Sequence, residues 1–164
     1  MNGRLPAYRQ SFFLSPDRMD GLQLQMFCED GIVYCDVFID NRFEGYAEVL
    51  HGGMIFGILD VIIWYVIFMR SKKIAMTRKV DMEFMKPVMC STPYRAKGKL
   101  TRIKDKNIYA TAWVEDSSGE VYARINATFR EGKNFDVAAF IDRFDFSVTT
   151  PAIKEYFLSL LGKK

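Results

Sequence analysis

The stretch that decides the fold is His51–Arg70, HGGMIFGILDVIIWYVIFMR. From Met54 to Met69 it holds sixteen residues that are all apolar except Gly57 and Asp60. A membrane span needs roughly 20 apolar residues and rarely carries a carboxylate near its middle. The pattern therefore predicts a helix from about Gly52 to Arg70 that lies in a protein core, enclosed by other elements and not by lipid.

Asp60 is the anomaly in this run, because a buried charge is costly unless a partner or a function compensates for it. Two interpretations stay open: a catalytic carboxylate, or a buried group that hydrogen-bonds to neighbouring backbone. The start of the helix favours catalysis. Gly52 and Gly53 leave the first amide N–H groups uncovered at the positive end of the helix dipole, where an oxyanion or a polarised carbonyl binds well. The alternative for these glycines is a plain tight turn.

The spacing of Gly53 and Asp60 has a consequence for assembly. They are seven residues apart, so they share one helix face but lie about 10 Å apart along the axis. One small carbonyl cannot contact both. If both groups serve one reaction, Gly53 of one subunit must meet Asp60 of another across a two-fold axis, which predicts at least a dimer.

Composition limits the class of protein. The 164 residues are 49% hydrophobic and 15% aromatic, which is typical of one folded domain. A net charge of +3, without an arginine cluster or basic helix, gives no reason to expect nucleic acid as a partner. Cys28, Cys35 and Cys90 are scattered and the chain has a single histidine, so no metal site is predicted. Reduced thiols, and an N-terminus without a long apolar segment, favour a cytoplasmic protein.

The order of elements predicts an α+β protein in which an antiparallel sheet wraps one long helix. Before the helix, residues 5–13 are predicted to form a short helix and residues 40–49 a loop. Strands are predicted at 22–29, 32–39, 74–84, 94–103, 108–115 and 121–130. Residues 132–164 are predicted to be an apolar C-terminal extension of the single domain, 1–164, with a final helix from Pro151. This extension either packs on the core or covers a sheet edge or an acyl pocket.

Several short motifs in this order resemble the hotdog-fold acyl-CoA thioesterases of the phenylacetate-degradation (PaaI-like) group. They are Gly45, His51-Gly52-Gly53, Leu59-Asp60, Ala75-Met76-Thr77 and Phe84-Met85-Lys86-Pro87. The resemblance covers about residues 22–131. It implies thioester hydrolysis at a dimer interface, often within a tetramer, without a metal or a separate cofactor, because coenzyme A is part of the substrate.

The resemblance also implies roles for individual residues. The Gly53 N–H would polarise the thioester carbonyl, Asp60 would act as general base or nucleophile, and Thr77 would position the water or the carboxylate. His51 would orient the loop or take part directly, and Gly52 would contact the substrate. Coenzyme A contacts would come from Arg78 and Lys79 and from Lys104, Lys106 and Asn107; the alternative for the last three is a solvated turn. The alternative for Thr77 is an ordinary strand threonine without a role in the site.

Two departures from the family pattern bear on the site. Some members carry an asparagine, a second ligand of the carbonyl, where this chain has Gly45. Bulky residues stand where relatives often have small ones, which would shorten or reshape the acyl pocket; they are Ile62, Ile63, Trp64 and Tyr65.

The sequence thus favours a soluble acyl-CoA thioesterase. The alternative from another class is a non-catalytic binder of acyl-CoA or acyl-carrier protein, such as a metabolite sensor, since a fold does not fix a function. A dehydratase or hydratase fits less well, because His51 and Asp60 do not match the spacing of that chemistry. No membrane span is expected.

Overall fold

The computed structural model describes residues 1–162, which form eleven strands and three helices. The strands are β1 (Gly3–Arg4), β2 (Ala7–Tyr8), β3 (Phe27–Glu29), β4 (Ile32–Val37), β5 (Glu44–Tyr46), β6 (Val49–Leu50), β7 (Ala75–Phe84), β8 (Tyr94–Lys104), β9 (Asn107–Glu115), β10 (Val121–Glu131) and β11 (Phe144–Asp145). The helices are α1 (Gly52–Ser71), α2 (Val137–Asp142) and α3 (Pro151–Leu158), and a 3-10 turn spans Asn41–Phe43.

One antiparallel sheet of seven strands wraps around α1. Its order is β1-β3-β4-β8-β9-β10-β7, so β7, the strand that directly follows the helix in sequence, lies at one edge. Two short two-stranded sheets, β5-β6 and β2-β11, lie outside it. This is the predicted α+β architecture, with an antiparallel sheet around one long central helix.

Helix α1 is buried on the side that faces the sheet. Ile58, Leu59, Ile62 and Ile63 are fully buried, and the Cγ2 atom of Ile62 packs where a Cβ atom on Gly98 of β8 would stand. The helix has the length and mean hydropathy, 2.1, of a membrane span, but 61% of its most apolar window is buried inside the protein. The apolar run is therefore accounted for by the core, where each buried aliphatic side chain contributes about 1.5–3 kcal/mol.

The boundaries predicted for α1 and for the four strands after it agree with the structure to within about one residue. The predicted helix at 5–13 is wrong. Those residues form β2 and turns, since Tyr8 pairs with Phe144 and the carbonyls of Phe12 and Phe13 accept hydrogen bonds from Leu22 and Leu24. The strand predicted at 22–29 is regular only from Phe27, and the predicted loop at 40–49 contains β5 and the first residue of β6.

The C-terminal extension packs on the core, and it contains the predicted last helix. Ile153 and Phe157 of α3 are fully buried. The Phe157 ring lies 4.5 Å from that of Phe68 on α1, and the Tyr156 hydroxyl donates to the carbonyls of Phe68 and Met69, the second at 2.9 Å. Helix α3 thus gives the Met69 carbonyl, at the C-terminal end of α1, a hydrogen-bond partner, and it gives a second one to the Phe68 carbonyl, which also accepts from the Lys72 N–H.

Candidate active site

One face of α1 is not covered by the sheet. Gly53, Gly57, Asp60 and Trp64 follow each other at helical spacing along it, and all four are partly or fully exposed. The opposite face carries the fully buried aliphatic residues. Asp60 therefore avoids the dry core because the 3.6-residue period places it on the open face, which explains how an almost uniformly apolar helix tolerates a carboxylate.

A β-bulge directs Thr77 towards Asp60. In β7, Lys79 pairs with Thr128 and Thr77 pairs with Phe129, so Arg78 is an extra residue without a partner. Strand alternation alone would send Thr77 to the same side as Lys79, and the extra residue reverses this. The Thr77 hydroxyl donates a hydrogen bond of 2.7 Å to Oδ1 of Asp60. Two residues singled out in the sequence thus meet within one subunit.

The environment of Asp60 raises the pKa of its carboxyl group. Partial burial against apolar side chains disfavours the charged form and is the larger effect, whereas the hydrogen bond from Thr77 favours the charged form and opposes it. The net rise in pKa makes the carboxylate a stronger base than an exposed aspartate, which is the property expected of a general base.

An apolar cavity of about 600 Å³ opens beside Asp60. Its floor comes from α1, β7 and β10, and its other walls come from both chain termini. The lining residues are Tyr8, Ser11, Leu14, Asp60, Val61, Trp64, Tyr65, Ile74, Ala75, Met76, Thr77, Phe129, Phe135, Phe140 and Phe144. Seven of them are aromatic, so the space beside the carboxylate suits an apolar group of substantial size.

The glycine turn at the start of α1, His51-Gly52-Gly53, lies away from the cavity beside Asp60. His51 caps the helix, and its Nδ1 atom accepts a 2.8 Å hydrogen bond from the Gly53 N–H. His51 and Gly52 line a second cavity of about 580 Å³, together with Gly45 and Phe84. Gly53 lines neither this cavity nor the one beside Asp60. Within one chain the two candidate halves of the site are therefore separate, as the helix spacing predicts.

The cations predicted to contact coenzyme A lie near one end of the sheet. Lys104 pairs with Asn107, Asn107 with Arg130, and Arg130 with Met76, which forms a row across β8, β9, β10 and β7 next to Thr77. Lys106 is in the turn between β8 and β9. Neighbouring strands are about 4.8 Å apart, so this row spans roughly 14 Å of surface.

Arg78 and Lys79 of β7 face different depressions. Arg78 lines one with Arg130 and Lys133, adjacent to the mouth of the Asp60 cavity because Met76 and Thr77 line both. Lys79 lines another beside Asp81. Arg130 and Lys133 do not stand out in the sequence, because only the pairing of β10 with β7 brings the end of β10 and the residues after it close to Arg78.

Sequence reasoning also missed the aromatic wall of the cavity. Phe140 and Phe144 belong to the apolar C-terminal extension, and nothing local to them indicates contact with Trp64, more than seventy residues earlier. In the sequence, only the bulk of residues 62–65 indicates that the acyl pocket is shortened or reshaped. Among residues 1–162, no three histidine, cysteine or acidic side chains gather as metal ligands would.

Comparison with known proteins shows what this chain is similar to. Residues 47–123 match the model of the thioesterase superfamily. No protein of curated function matches the chain by sequence. Among solved structures, a thioesterase superfamily protein superimposes with a TM-score of 0.69 at 20% identity, over 75% of this chain and 61% of that one. The chain thus spans less than two thirds of the length of that protein.

Two further structures are similar. The PaaI protein of Escherichia coli, from the phenylacetic acid degradation operon, has a TM-score of 0.61 at 11% identity, over 68% of this chain and 80% of that one. A Streptococcus mutans protein bound to acetyl-CoA has a TM-score of 0.62 at 18% identity, over 73% and 95%. Residues 47–123 are thus similar to the thioesterase superfamily, and the architecture of the chain is the hotdog fold.

Proposed function

We propose that this protein is an acyl-CoA thioesterase that hydrolyses an acyl-CoA to the free acid and coenzyme A. The observation that carries the proposal is the Asp60 carboxylate: its pKa is raised, Thr77 holds it at 2.7 Å, and it lies at the wall of an apolar cavity. The superfamily match supports thioester chemistry, and the acetyl-CoA bound to the S. mutans protein supports this class of substrate.

In the proposed reaction Asp60 takes a proton from a water molecule, and the resulting hydroxide attacks the thioester carbonyl carbon. The tetrahedral intermediate collapses, the C–S bond breaks, and coenzyme A leaves as a thiolate that acquires a proton. The Thr77 hydroxyl fixes the rotamer of the carboxylate and leaves Oδ2 for the water. A backbone N–H at the start of α1 stabilises the developing oxyanion.

The proposal places each complete site between two subunits. The support is that Asp60 and the glycine turn belong to separate cavities in one chain, and that β7 is a ten-residue strand whose outer edge pairs with no strand among residues 1–162. Such edges readily pair with another chain. Met76 and Phe84, near the two ends of β7, are 59% and 56% exposed, which adds apolar surface for a partner to cover.

Antiparallel pairing of two β7 edges has a favourable register with Val80 on the two-fold axis. Lys79 of each subunit then lies opposite Asp81 of the partner subunit, which makes two pairs of opposite charge. The Thr77 end of one strand also comes alongside the Phe84 end of the other. Because the Phe84 ring lies against Gly52, this register brings the glycine turn of one subunit towards Asp60 of the partner subunit.

A second candidate function is binding of acyl-CoA or an acylated carrier protein without turnover, as in a metabolite sensor. One observation favours it: the Gly53 N–H already donates to Nδ1 of His51. For catalysis this N–H must exchange the imidazole for the carbonyl oxygen. A binder has no such requirement, since His51 simply holds the helix start.

Thiol release from a panel of acyl-CoAs separates the two functions. We expect turnover by the wild type, and a fall in kcat of at least about 10²-fold in Asp60→Asn, because general-base catalysis supplies about 10²- to 10⁴-fold. Asparagine keeps an oxygen that accepts the Thr77 hydrogen bond, so folding should be preserved. Saturable binding without turnover in both proteins would favour the binder, and full activity in Asp60→Asn would refute the proposed mechanism.

A further inference from the structure

Both chain termini take part in the cavity beside Asp60. Tyr8, Ser11 and Leu14 come from the N-terminal segment, and Phe135, Phe140 and Phe144 come from the C-terminal extension; these six residues are called the roof. Every one of them lies outside residues 47–123, the part that matches the superfamily. The β2-β11 pair joins the two segments, since Phe144 pairs with Tyr8 and Asp145 with Ala7.

The roof contacts the catalytic helix through aromatic rings. The ring centroid of Trp64, one turn after Asp60 on the open face of α1, lies 5.7 Å from that of Phe140 and 6.0 Å from that of Phe144. Phe140 and Phe144 are 5.2 Å apart, and Tyr8 lies 5.3 Å from Phe144. These separations are those of favourable aromatic pairs, so the rings form one connected wall. Phe140 is only partly buried, whereas Phe144 is buried behind it.

The polar groups of the cavity, apart from Asp60 and Thr77, are largely engaged elsewhere. The Tyr65 hydroxyl donates to the Pro6 carbonyl at 2.5 Å, and the Ser11 hydroxyl accepts from the Phe13 N–H at 3.2 Å. A hydroxylated or charged acyl group would lose its hydration there and find few partners. An apolar acyl group loses nothing comparable and gains burial.

We propose that the roof is the specificity-determining wall of the acyl site, that the site takes an apolar acyl group, and that Phe140 limits its length. This inference rests on the proposed function for its catalytic part. The carbonyl lies at Asp60 and Thr77, and the acyl group runs along the open face of α1 past Trp64 until it meets Phe140. Selectivity for the acyl group thus comes from segments that the superfamily match does not include.

Kinetics of Phe140→Ala test the length limit, with straight-chain substrates from acetyl-CoA to palmitoyl-CoA. We expect kcat/KM for the longest substrate, relative to the shortest, to rise at least about tenfold, because one methylene group in an apolar pocket discriminates by 10-fold or more. Phe140→Leu should shift this ratio in the same direction by less. Val148→Ala is the matched control, because Val148 belongs to the same extension, is 48% exposed and does not line the cavity. An unchanged ratio in a folded, active Phe140→Ala protein would overturn the proposal.

A binding measurement tests the inference independently of catalysis. The chain has two tryptophans, so in Trp113→Phe the emission reports on Trp64 alone. Titration with straight-chain alcohols from butanol to decanol uses neutral probes that Asp60 does not repel. We expect a saturable change in emission whose affinity grows with chain length up to a limit.

The two measurements separate the two proposals. If acyl-CoA is hydrolysed but Trp64 emission does not respond and Phe140→Ala has no effect, the proposed role of the roof is refuted. The proposal of thioesterase activity is then unaffected. If alcohols bind near Trp64 with an affinity that depends on chain length, but no acyl-CoA is hydrolysed, the proposed thioesterase activity is refuted. The proposed role of the roof is then supported. If every Phe140 variant fails to fold, the alcohol titration with Phe140 intact still decides, and no response at any length overturns the roof.

Discussion

At Asp60, two neighbouring effects act on the pKa of the carboxyl group in opposite directions. Desolvation raises it and the Thr77 hydroxyl lowers it, and desolvation is the larger of the two. The balance leaves a carboxylate that is a stronger base than free aspartate. Thr77 owes its orientation to the extra residue at Arg78, so a bulge in β7 positions the hydroxyl that opposes the rise in the pKa of Asp60 on α1.

Thr77→Val tests this balance. Valine keeps the shape of threonine and removes the hydroxyl that stabilises the charged carboxylate, so the pKa of Asp60 should rise further. Because the proposed reaction needs ionised Asp60, the acidic limb of the pH profile of kcat/KM should move to higher pH. Thr77→Ser, which retains the hydroxyl, is the control and should keep the wild-type limb. An acidic limb that stays in place or moves to lower pH in Thr77→Val would contradict the assignment.

At the residue scale, the sequence reveals those groups that are locally anomalous. Asp60 stands out in an apolar run, and His51-Gly52-Gly53 stands out at a helix start. Arg130 does not stand out, because an arginine near the end of a strand is ordinary until the register sets it opposite Met76. The bulge that turns Thr77 inward is equally invisible, since it depends on pairing with β10 and not on the residues of β7 alone.

At the element scale, the last helix is part of the fold and not an appended tail. Phe157 is fully buried and its ring contacts those of Phe68, Phe144 and Phe146. It thus connects the end of α1 to the segment that supplies the roof. A change that weakens the packing of α3 should therefore also alter the cavity beside Asp60.

Phe157→Ala measures how strongly α3 supports the fold. Removing a buried ring typically costs about 3–5 kcal/mol of unfolding free energy, and we expect a loss in this range from urea unfolding. Leu158→Ala, at the next position and 37% exposed, is the matched control and should cost far less. Equal and small losses in both variants would show that the extension folds independently of the core.

The sequence predicted elements well where their signal is local. The α1 helix and the strands β7 to β10 have strong periodicity, and clear turns separate β8 from β9 and β9 from β10. It failed at residues 5–13, where the conformation is set by partners far away in the chain, Tyr8 by Phe144 and the Phe12 carbonyl by Leu22. Pairing with distant strands overrides local propensity, so the residues next to a position do not determine its secondary structure in such a segment.

At the scale of the whole molecule, the edge of β7 determines whether the two halves of the site meet. A charge exchange tests the proposed register. Lys79→Glu sets a glutamate against Asp81 of the partner subunit in both pairs, and each pair contributes roughly 0.2–1 kcal/mol, so the dimer should weaken. Lys79→Glu combined with Asp81→Lys restores opposite charges and should restore the dimer, as measured by sedimentation equilibrium.

Lys99→Glu provides the control for the charge exchange, because Lys99 is exposed on β8 in the middle of the sheet and far from the edge. It should leave the association unchanged. Dimers that persist unaltered in Lys79→Glu, or a double variant no better than the single one, would exclude a register centred on Val80.

Complementation between two inactive variants tests the shared site most directly. Asp60→Asn lacks the base, and Gly53→Val blocks access to the N–H groups at the start of α1. A Cβ atom at position 53 meets only the His51 side chain, so the Gly53→Val protein should still fold. Coexpressed with different tags and purified on both, the mixed dimer contains one site with two native halves and one with two altered halves. The account predicts that acyl-CoA hydrolysis returns to about half of the wild-type rate per dimer. A mixed dimer as inactive as its two parents would contradict a site shared between subunits.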